Sequence, residues 1–480
     1  MNNKTVFHNL TWRLLERFGA QGVSFIVSII LARLLDPAVY GTIALVTVFT
    51  TIMNVFVDSG LGTALIQKKN ADDTDFSTVF YFNLAMCTAL YGLMFLASPL
   101  IAHFYERPEL TAIIRVLSLS LVLSGIKSIQ QSYISRHMLF KRFFFSTIGA
   151  TVLSAVVGIV MAYRGFGVWA LVAQTLTSNA VSTIILWGTV KWRPKLLFSW
   201  SRLKGLFSFG WKILVSSLLN TIYNDLRQLI IGKLYTTEDL AFYNKGHQFP
   251  QLVVANINTS IDSVLLPAMS EQQDNRERVK AMTRRAIKIS SYIMMPMMMG
   301  LAVCAEPFIR LLLTEKWLPC VFFLRIFCFT MAFYPIHTAN LNAIKAMGRS
   351  DMFLKLEIIK KIYGLAALFA TMWISVEAMA YSLLVTTIIS QIVNSFPNKK
   401  LLNYSYFEQI RDMLPTILIS VIMGAVAFCV TLLSLGDFVT LIIQIPVGVI
   451  VYIACSAITK NESFLYILSV VKGYLKKKKI

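Results

Sequence analysis

The chain has 480 residues, 56% hydrophobic and only 14% charged, with 45 Lys and Arg against 24 Asp and Glu for a formal charge of +21. Soluble domains carry roughly a quarter charged residues, so this composition excludes one and leaves an integral membrane protein. The positive balance is no sign of nucleic acid, because in a multi-span chain it reports on which side of the bilayer the cations gather.

Apolar stretches long enough for a hydrocarbon layer of roughly 30 Å follow one another from end to end. They fall at 10–35, 38–66, 75–103, 110–134, 143–163, 167–190, 206–234, 239–268, 282–304, 318–346, 352–375, 377–398, 413–435 and 438–459. The pattern predicts an all-α protein with about fourteen transmembrane helices and both termini on one side. The N-terminus, tail and alternate loops on that side hold 32 of the 45 Lys and Arg, and the opposite set holds six, around Arg33, Arg107, Arg164, Lys233, Arg310 and Lys316. Positive-inside bias therefore places both termini in the cytoplasm. The polar N-terminus lacks a cleavable signal pattern, so the first helix is expected to direct insertion itself. Cys87, Cys304, Cys320, Cys328, Cys429 and Cys455 are scattered through apolar segments without metal-ligand spacing and read as small buried hydrophobes.

The first hairpin, 12–67, is echoed about two hundred residues later. Trp12-Arg13-Leu14-Leu15 returns as Trp211-Lys212-Ile213-Leu214, and the stretch from Asn54 through Asp58-Ser59 to Leu61 returns from Asn258 through Asp262-Ser263 to Leu265. Two pseudo-symmetric bundles follow. The expected organisation is an N-terminal helical lobe at 1–190, a basic cytoplasmic linker at 191–205, a C-terminal lobe at 206–400, and two further helices with a basic tail at 401–480. The linker, KWRPKLLFSWSRLKG, reads either as a solvated connector or as a helix in the headgroup layer with Trp192, Phe198 and Trp200 dipping in. Pro250, Pro296, Pro335 and Pro446 fall inside predicted spans, where each removes a helical hydrogen bond and permits a bend.

The segments ARLLDPAVYG at 32–41 and VDSGLGTALIQKK at 57–69 carry a family resemblance. Through Ala32, Arg33, Pro37, Tyr40 and Gly41 the chain resembles the Wzx-type polysaccharide flippases of the multidrug/oligosaccharidyl-lipid/polysaccharide exporter superfamily, in its fourteen-span, colanic-acid-type branch. The resemblance implies a MATE-like two-bundle fold in a bacterial inner membrane. It implies export of an undecaprenyl-pyrophosphate-linked oligosaccharide by alternating access, for exopolysaccharide, capsule or lipopolysaccharide synthesis, with no cofactor, no metal and no enzymatic step. Polysaccharide polymerase machinery is an expected partner. In physical terms, Pro37 cannot continue the preceding helix, Asp36 can cap the next, and Gly41 lets that helix approach a neighbour closely.

Ionisable and amide residues inside spans supply the candidate site, since hydrocarbon is a costly place for them. Asn220, Asn224 and Arg227 share a face of the seventh span with Ser216, and Lys245, His247 and Gln251 lie on the eighth. Amides suit sugar hydroxyls, and the planar Arg fork suits phosphate. Arg13 or Arg17 with Asp58, and Lys212 with Asp262, are candidate pairs closing the cytoplasmic gate; permanent structural ion pairs are the bland alternative. Glu16, Asp58, Asp225 and Asp262 are candidate carriers of a coupling H⁺ or Na⁺. His337 reads as a satisfied polar group. The acidic run Asp72-Asp73-Thr74-Asp75 reads as a solvated helix cap. A drug or lipid exporter of the same superfamily is the nearest rival. A polytopic glycosyltransferase or O-antigen polymerase is the rival from another class, and it would need a larger outer loop than 305–319.

Overall fold

The computed structural model describes the backbone of residues 3–58 and 60–477 and side chains other than those of 1–11, 13–18, 58, 59, 209, 259, 260, 262, 263, 471 and 474–480. Among the described residues every regular element is helical. The chain divides after Ala241 into two compact units.

The first unit holds α1 (Asn3–Leu34), α2 (Pro37–Asp58), α3 (Leu61–Gln67), α4 (Asp73–Phe104), α5 (Leu110–Leu117), α6 (Leu119–His137), α7 (Phe140–Tyr163), α8 (Val168–Thr189), α9 (Trp200–Leu234) and the first turn of α10 (Thr237–Glu271). Small residues set its close packing. Ala155 and Ala162 of α7 and Ala170 of α8 admit Val27 and Leu31 of α1 into one apolar cluster. A second cluster joins Leu61 and Leu65 of α3, Phe76 and Phe80 of α4, Ile129 of α6 and Leu203 of α9. Gly41 shows why the hairpin motif ends in glycine: a Cβ built there would lie 1.8 Å from the Thr237 carbonyl oxygen. Gly60, with φ +69°, passes so close to Gly210 that a Cβ would lie 2.9 Å from its Cα. Both positions need glycine, the second also for its left-handed backbone.

The second unit holds the rest of α10, then α11 (Arg276–Val303), α12 (Ala305–Leu313), α13 (Cys320–Ala332), α14 (Tyr334–Ala346), α15 (Ser350–Thr371), α16 (Val376–Leu402), α17 (Tyr406–Cys429), α18 (Asp437–Ile458) and α19 (Glu462–Lys477). Tyr292, Ile419, Met423 and Tyr452 tie α11, α17 and α18 together. The Tyr292 hydroxyl donates to Ser456 at 2.9 Å, and the Tyr452 hydroxyl donates to the Tyr292 carbonyl at 2.7 Å. A wholly buried amide network joins α14, α16 and α17: the Asn340 amide donates to Gln409 at 2.7 Å and to Ser395 at 3.1 Å, and the Asn398 amide donates to Asn340 at 2.6 Å.

Among the described residues ten helical segments are long and apolar enough to cross a bilayer, or eleven if α9 counts through its 50° bend between Ser208 and Gly210. Helices also occupy the remaining expected spans: α1 includes the apolar stretch Gly19–Leu34, α10 carries Lys245, His247 and Asn256, and α15 carries Lys355, Glu357, Lys360 and Lys361. Pro250, Pro296 and Pro446 do lie within helices, whereas Pro335 stands in the first turn of α14, just past the break at Phe333. Four cysteines are buried, but Cys429 is exposed and Cys455 half-buried. Cys455 of α18 packs against the Tyr292 and Tyr452 cluster, and Cys429 stands at the exposed end of α17, where a small apolar thiol is equally at home.

Candidate functional site

Within the first unit, α9 exposes polar groups along a helix whose second half is rich in Leu and Ile. Ser216, Asn220 and Asn224, four residues apart, are all exposed, and Arg227 one turn further on is half-buried. Asp225 is half-buried and accepts a hydrogen bond from the Gln228 amide at 3.2 Å. Lys212 is exposed beside an exposed Trp211, whereas Trp12 packs edge-on against Phe144 at 5.1 Å between centroids. The two repeated tryptophans thus have different surroundings. Arg13, Glu16, Arg17, Asp58 and Asp262, five members of the expected gate and coupling sets, lie outside the residues whose side chains are described.

In the second unit Lys245 is only 5% exposed. Its ammonium donates to the Gln248 carboxamide oxygen at 3.1 Å and lies 5.6 Å from the centre of the Trp317 ring. Both contacts come from its own unit. His247 is half-buried, edge-on to Phe327 at 4.7 Å, and Gln251 is exposed. His337 is hydrogen-bonded to Asn394, as expected of a satisfied polar group.

The acidic run before α4 is the expected helix cap, with Asp72 and Asp73 partly open to solvent, and the structure corrects the expectation at Asp75. The run does cap the helix: Asp72 accepts from the Asp75 amide at 3.0 Å and Asp75 accepts from the Asp72 amide at 3.2 Å. Asp75, however, is fully buried, with Lys68 at 2.7 Å and Arg202 at 3.5 Å. Arg202 also pairs with Asp72, and the hydrogen bond it donates holds the Asp72 carboxyl down at about 2. Asp73 takes Lys195 at 2.6 Å and the Trp192 indole N–H at 3.1 Å.

The same knot fixes the linker. Residues 190–199 are non-helical, and their amides at Lys195 and Ser199 donate to Ser77 and Thr78 at 3.0 and 3.1 Å. Trp192 is 7% exposed and packs on Phe76 and Tyr133, so it does not dip into lipid. Gln130 donates to its carbonyl at 3.2 Å. The one legible signal was Asp72 followed three residues later by Asp75, a capping-box spacing; the cations that join it come from residues seven before and over a hundred after. A further feature without a sequence signal is a cavity of about 670 Å³ in the second unit, lined chiefly by apolar side chains such as Pro296, Leu301, Phe308, Leu441, Val449 and Ile453.

A family model described as polysaccharide biosynthesis protein matches residues 30–322. The succinoglycan biosynthesis transport protein ExoT of Rhizobium meliloti (strain 1021) is 27% identical over 66% of this chain and 64% of its own length, less than two thirds of that relative. The teichuronic acid biosynthesis protein TuaB of Bacillus subtilis (strain 168) and the lipopolysaccharide biosynthesis protein WzxC of Escherichia coli (strain K12) are each 24% identical over 84% of this chain and 85% of theirs. Among solved structures, the lipid II flippase MurJ in an inward closed conformation superposes with a TM-score of 0.76 at 16% identity, over 94% of this chain and 99% of that one. An inward-facing multidrug resistance MATE family transporter of the MOP superfamily gives 0.62 at 15% identity, over 80% and 94%. At these identities the superpositions establish the helical fold, and the sequence match establishes the family: this multi-span membrane chain belongs to the polysaccharide biosynthesis proteins.

Proposed function

We propose that this protein is a flippase that carries an undecaprenyl-pyrophosphate-linked oligosaccharide repeat unit across the bacterial cytoplasmic membrane by alternating access, for assembly of an extracellular or surface polysaccharide. The observation that carries this reading, beside family membership, is the exposed Ser216, Asn220 and Asn224 stripe on α9. Exposed amides on a membrane-crossing helix are costly against hydrocarbon, so they belong against water or a polar cargo. Sugar hydroxyls match them as donors and acceptors. The apolar cavity of the second unit suits a stretch of polyprenyl chain, since its lining is almost free of groups that would need hydrogen bonds.

In the full reading fourteen helices cross the membrane, both termini are cytoplasmic, and the lobes are 1–190 and 206–400 joined by the linker at 191–205, with 401–480 appended. Asn220, Asn224 and Arg227 in the first unit, and Lys245, His247 and Gln251 in the second, contact the cargo, with Arg227 and Lys245 serving its pyrophosphate. Enclosure by Trp317 means that Lys245 must be uncovered during the cycle to do so. Arg13, Arg17, Asp58, Lys212 and Asp262 form the cytoplasmic gate, and Glu16, Asp58, Asp225 or Asp262 carries the coupling H⁺ or Na⁺. Membrane lipid and a polysaccharide polymerase are the partners.

The test reconstitutes the protein in proteoliposomes and follows transbilayer movement of fluorescent lipid-linked oligosaccharide. Wild type is expected to move it, and Arg227→Ala with Lys245→Ala to slow it at least tenfold while remaining folded. No movement by an otherwise folded wild-type protein would refute the flippase. Full activity in the double variant would refute the assigned pyrophosphate contacts.

A further inference from the structure

We infer that the first unit contains its own pocket for an uncharged sugar residue, lined by α1, α2, α7 and α8; the cargo it assigns rests on the flippase reading above. The cavity holds about 350 Å³, within the ~300–1,000 Å³ of small-ligand sites. Its polar wall is formed by Ser24, Ser154, Gln174, Ser178 and Asn179, and Val27, Leu31 and Leu171 form an apolar wall. No described lining residue carries a formal charge.

The wall is arranged rather than merely polar. A Cβ at Gly158 of α7 would meet Gln174 Cβ at 3.1 Å and Cγ at 3.2 Å, so the missing side chain is what lets the Gln174 stem lie against α7. The Ser154 hydroxyl donates to the Thr151 carbonyl at 3.0 Å, which returns its proton to its own helix and leaves oxygen lone pairs as acceptors. Asn179 is oriented from two directions, accepting from Lys127 at 2.6 Å and donating to the Thr175 carbonyl at 3.1 Å. Ser24, Gln174 and Ser178 have no hydrogen-bond partner among the described residues, so donors and acceptors both remain available.

A pyranose has this same duality, with a rim of hydroxyls that donate and accept and a C–H face that tolerates aliphatic contact. No lining residue supplies a cation for a phosphate, and Lys127, behind the wall, is already donating to Asn179. The pocket therefore reads the neutral sugars of the cargo and is separate in chemistry from the cationic contacts proposed for the pyrophosphate.

The experiment uses the full-length protein in nanodiscs and saturation-transfer NMR with glucose, galactose, N-acetylglucosamine, rhamnose and lactose. At least one is expected to bind, and Gln174→Leu with Ser178→Ala, removing two hydrogen-bonding groups, to weaken it about tenfold. Gly158→Ala, which removes no polar atom but pushes the Gln174 stem aside, is expected to weaken it several-fold and guards against a misfolded double variant. In proteoliposomes the double variant should slow a carrier bearing a full repeat unit more than one bearing a single sugar phosphate. Absence of sugar binding to wild type, unchanged affinity in the variants, or equal slowing of both carriers would overturn the pocket. Sugar binding that the variants abolish, in a wild type that flips nothing, would uphold the pocket and refute the flippase instead.

Discussion

Replacing Asp75 by Asn separates the charge in the α4 knot from the cap. An Asn oxygen can still accept from the Asp72 amide, now 3.2 Å from the carboxylate, but the substitution removes the anion that faces Lys68 at 2.7 Å and Arg202 at 3.5 Å. A hydrogen bond to a charged group contributes about 1.5–3 kcal/mol when buried, and losing one partner leaves the other charge uncompensated. Asp75 is wholly buried, but the Lys68 and Arg202 side chains are 37% and 39% exposed, so water recovers part of their loss. The expected cost is about 2 kcal/mol. The assay is reversible unfolding in mixed micelles titrated with denaturing detergent, read by far-ultraviolet circular dichroism, for wild type, Asp75→Asn, Lys68→Met and the double variant. The cycle should show a coupling of about 1 kcal/mol. If Asp75→Asn unfolds within ~0.5 kcal/mol of wild type, or the two changes are additive, the knot does not hold the linker as argued.

Gly41→Ala should strongly reduce the yield of monodisperse protein in fluorescence-detected size exclusion, because its Cβ would fall 1.8 Å from a backbone carbonyl that cannot rotate away. Gly22→Ala, with nothing within 4 Å, is the control and should be neutral or slightly stabilising. Asp72, depressed to about 2 chiefly by the hydrogen bond from Arg202, contributes stability that is fully present above its unfolded value near ~3.9 and is lost as pH falls towards 2. The stability gap between wild type and Asp72→Asn should therefore be level above about pH 5 and close by pH 2, and a gap that widens on acidification would contradict the assignment. Asn340→Leu strands the buried Gln409 and Asn398 amides and should cost about 2 kcal/mol by the same unfolding assay, with Asn340→Asp milder if one bond set survives.

Helix content, the run of apolar spans, the hairpin turn and the family were legible in the sequence because each rests on local chemistry. Apolar length measures itself against hydrocarbon, Pro37 ends a helix wherever it stands, and a glycine at position 41 announces a close approach without saying to what. The polar stripe on α9 was equally legible, since a four-residue spacing puts residues on one face whatever surrounds them.

The partners were not legible. Gly41 meets Thr237, Asp75 meets Arg202, and Asn340 meets Gln409, pairs separated by 69 to 196 positions that only the packed helices bring together. For the same reason the surroundings of Lys245 and Trp192 were not legible by type: nothing in the sequence shows that Trp317 lies beside one and that Phe76 and Tyr133 pack on the other. Sequence period decided which residues share a face of a helix. Tertiary packing alone decided which of those faces meet protein, which enclose the two cavities, and which polar groups are left open to a ligand, because burial is a property of neighbours and not of residue type.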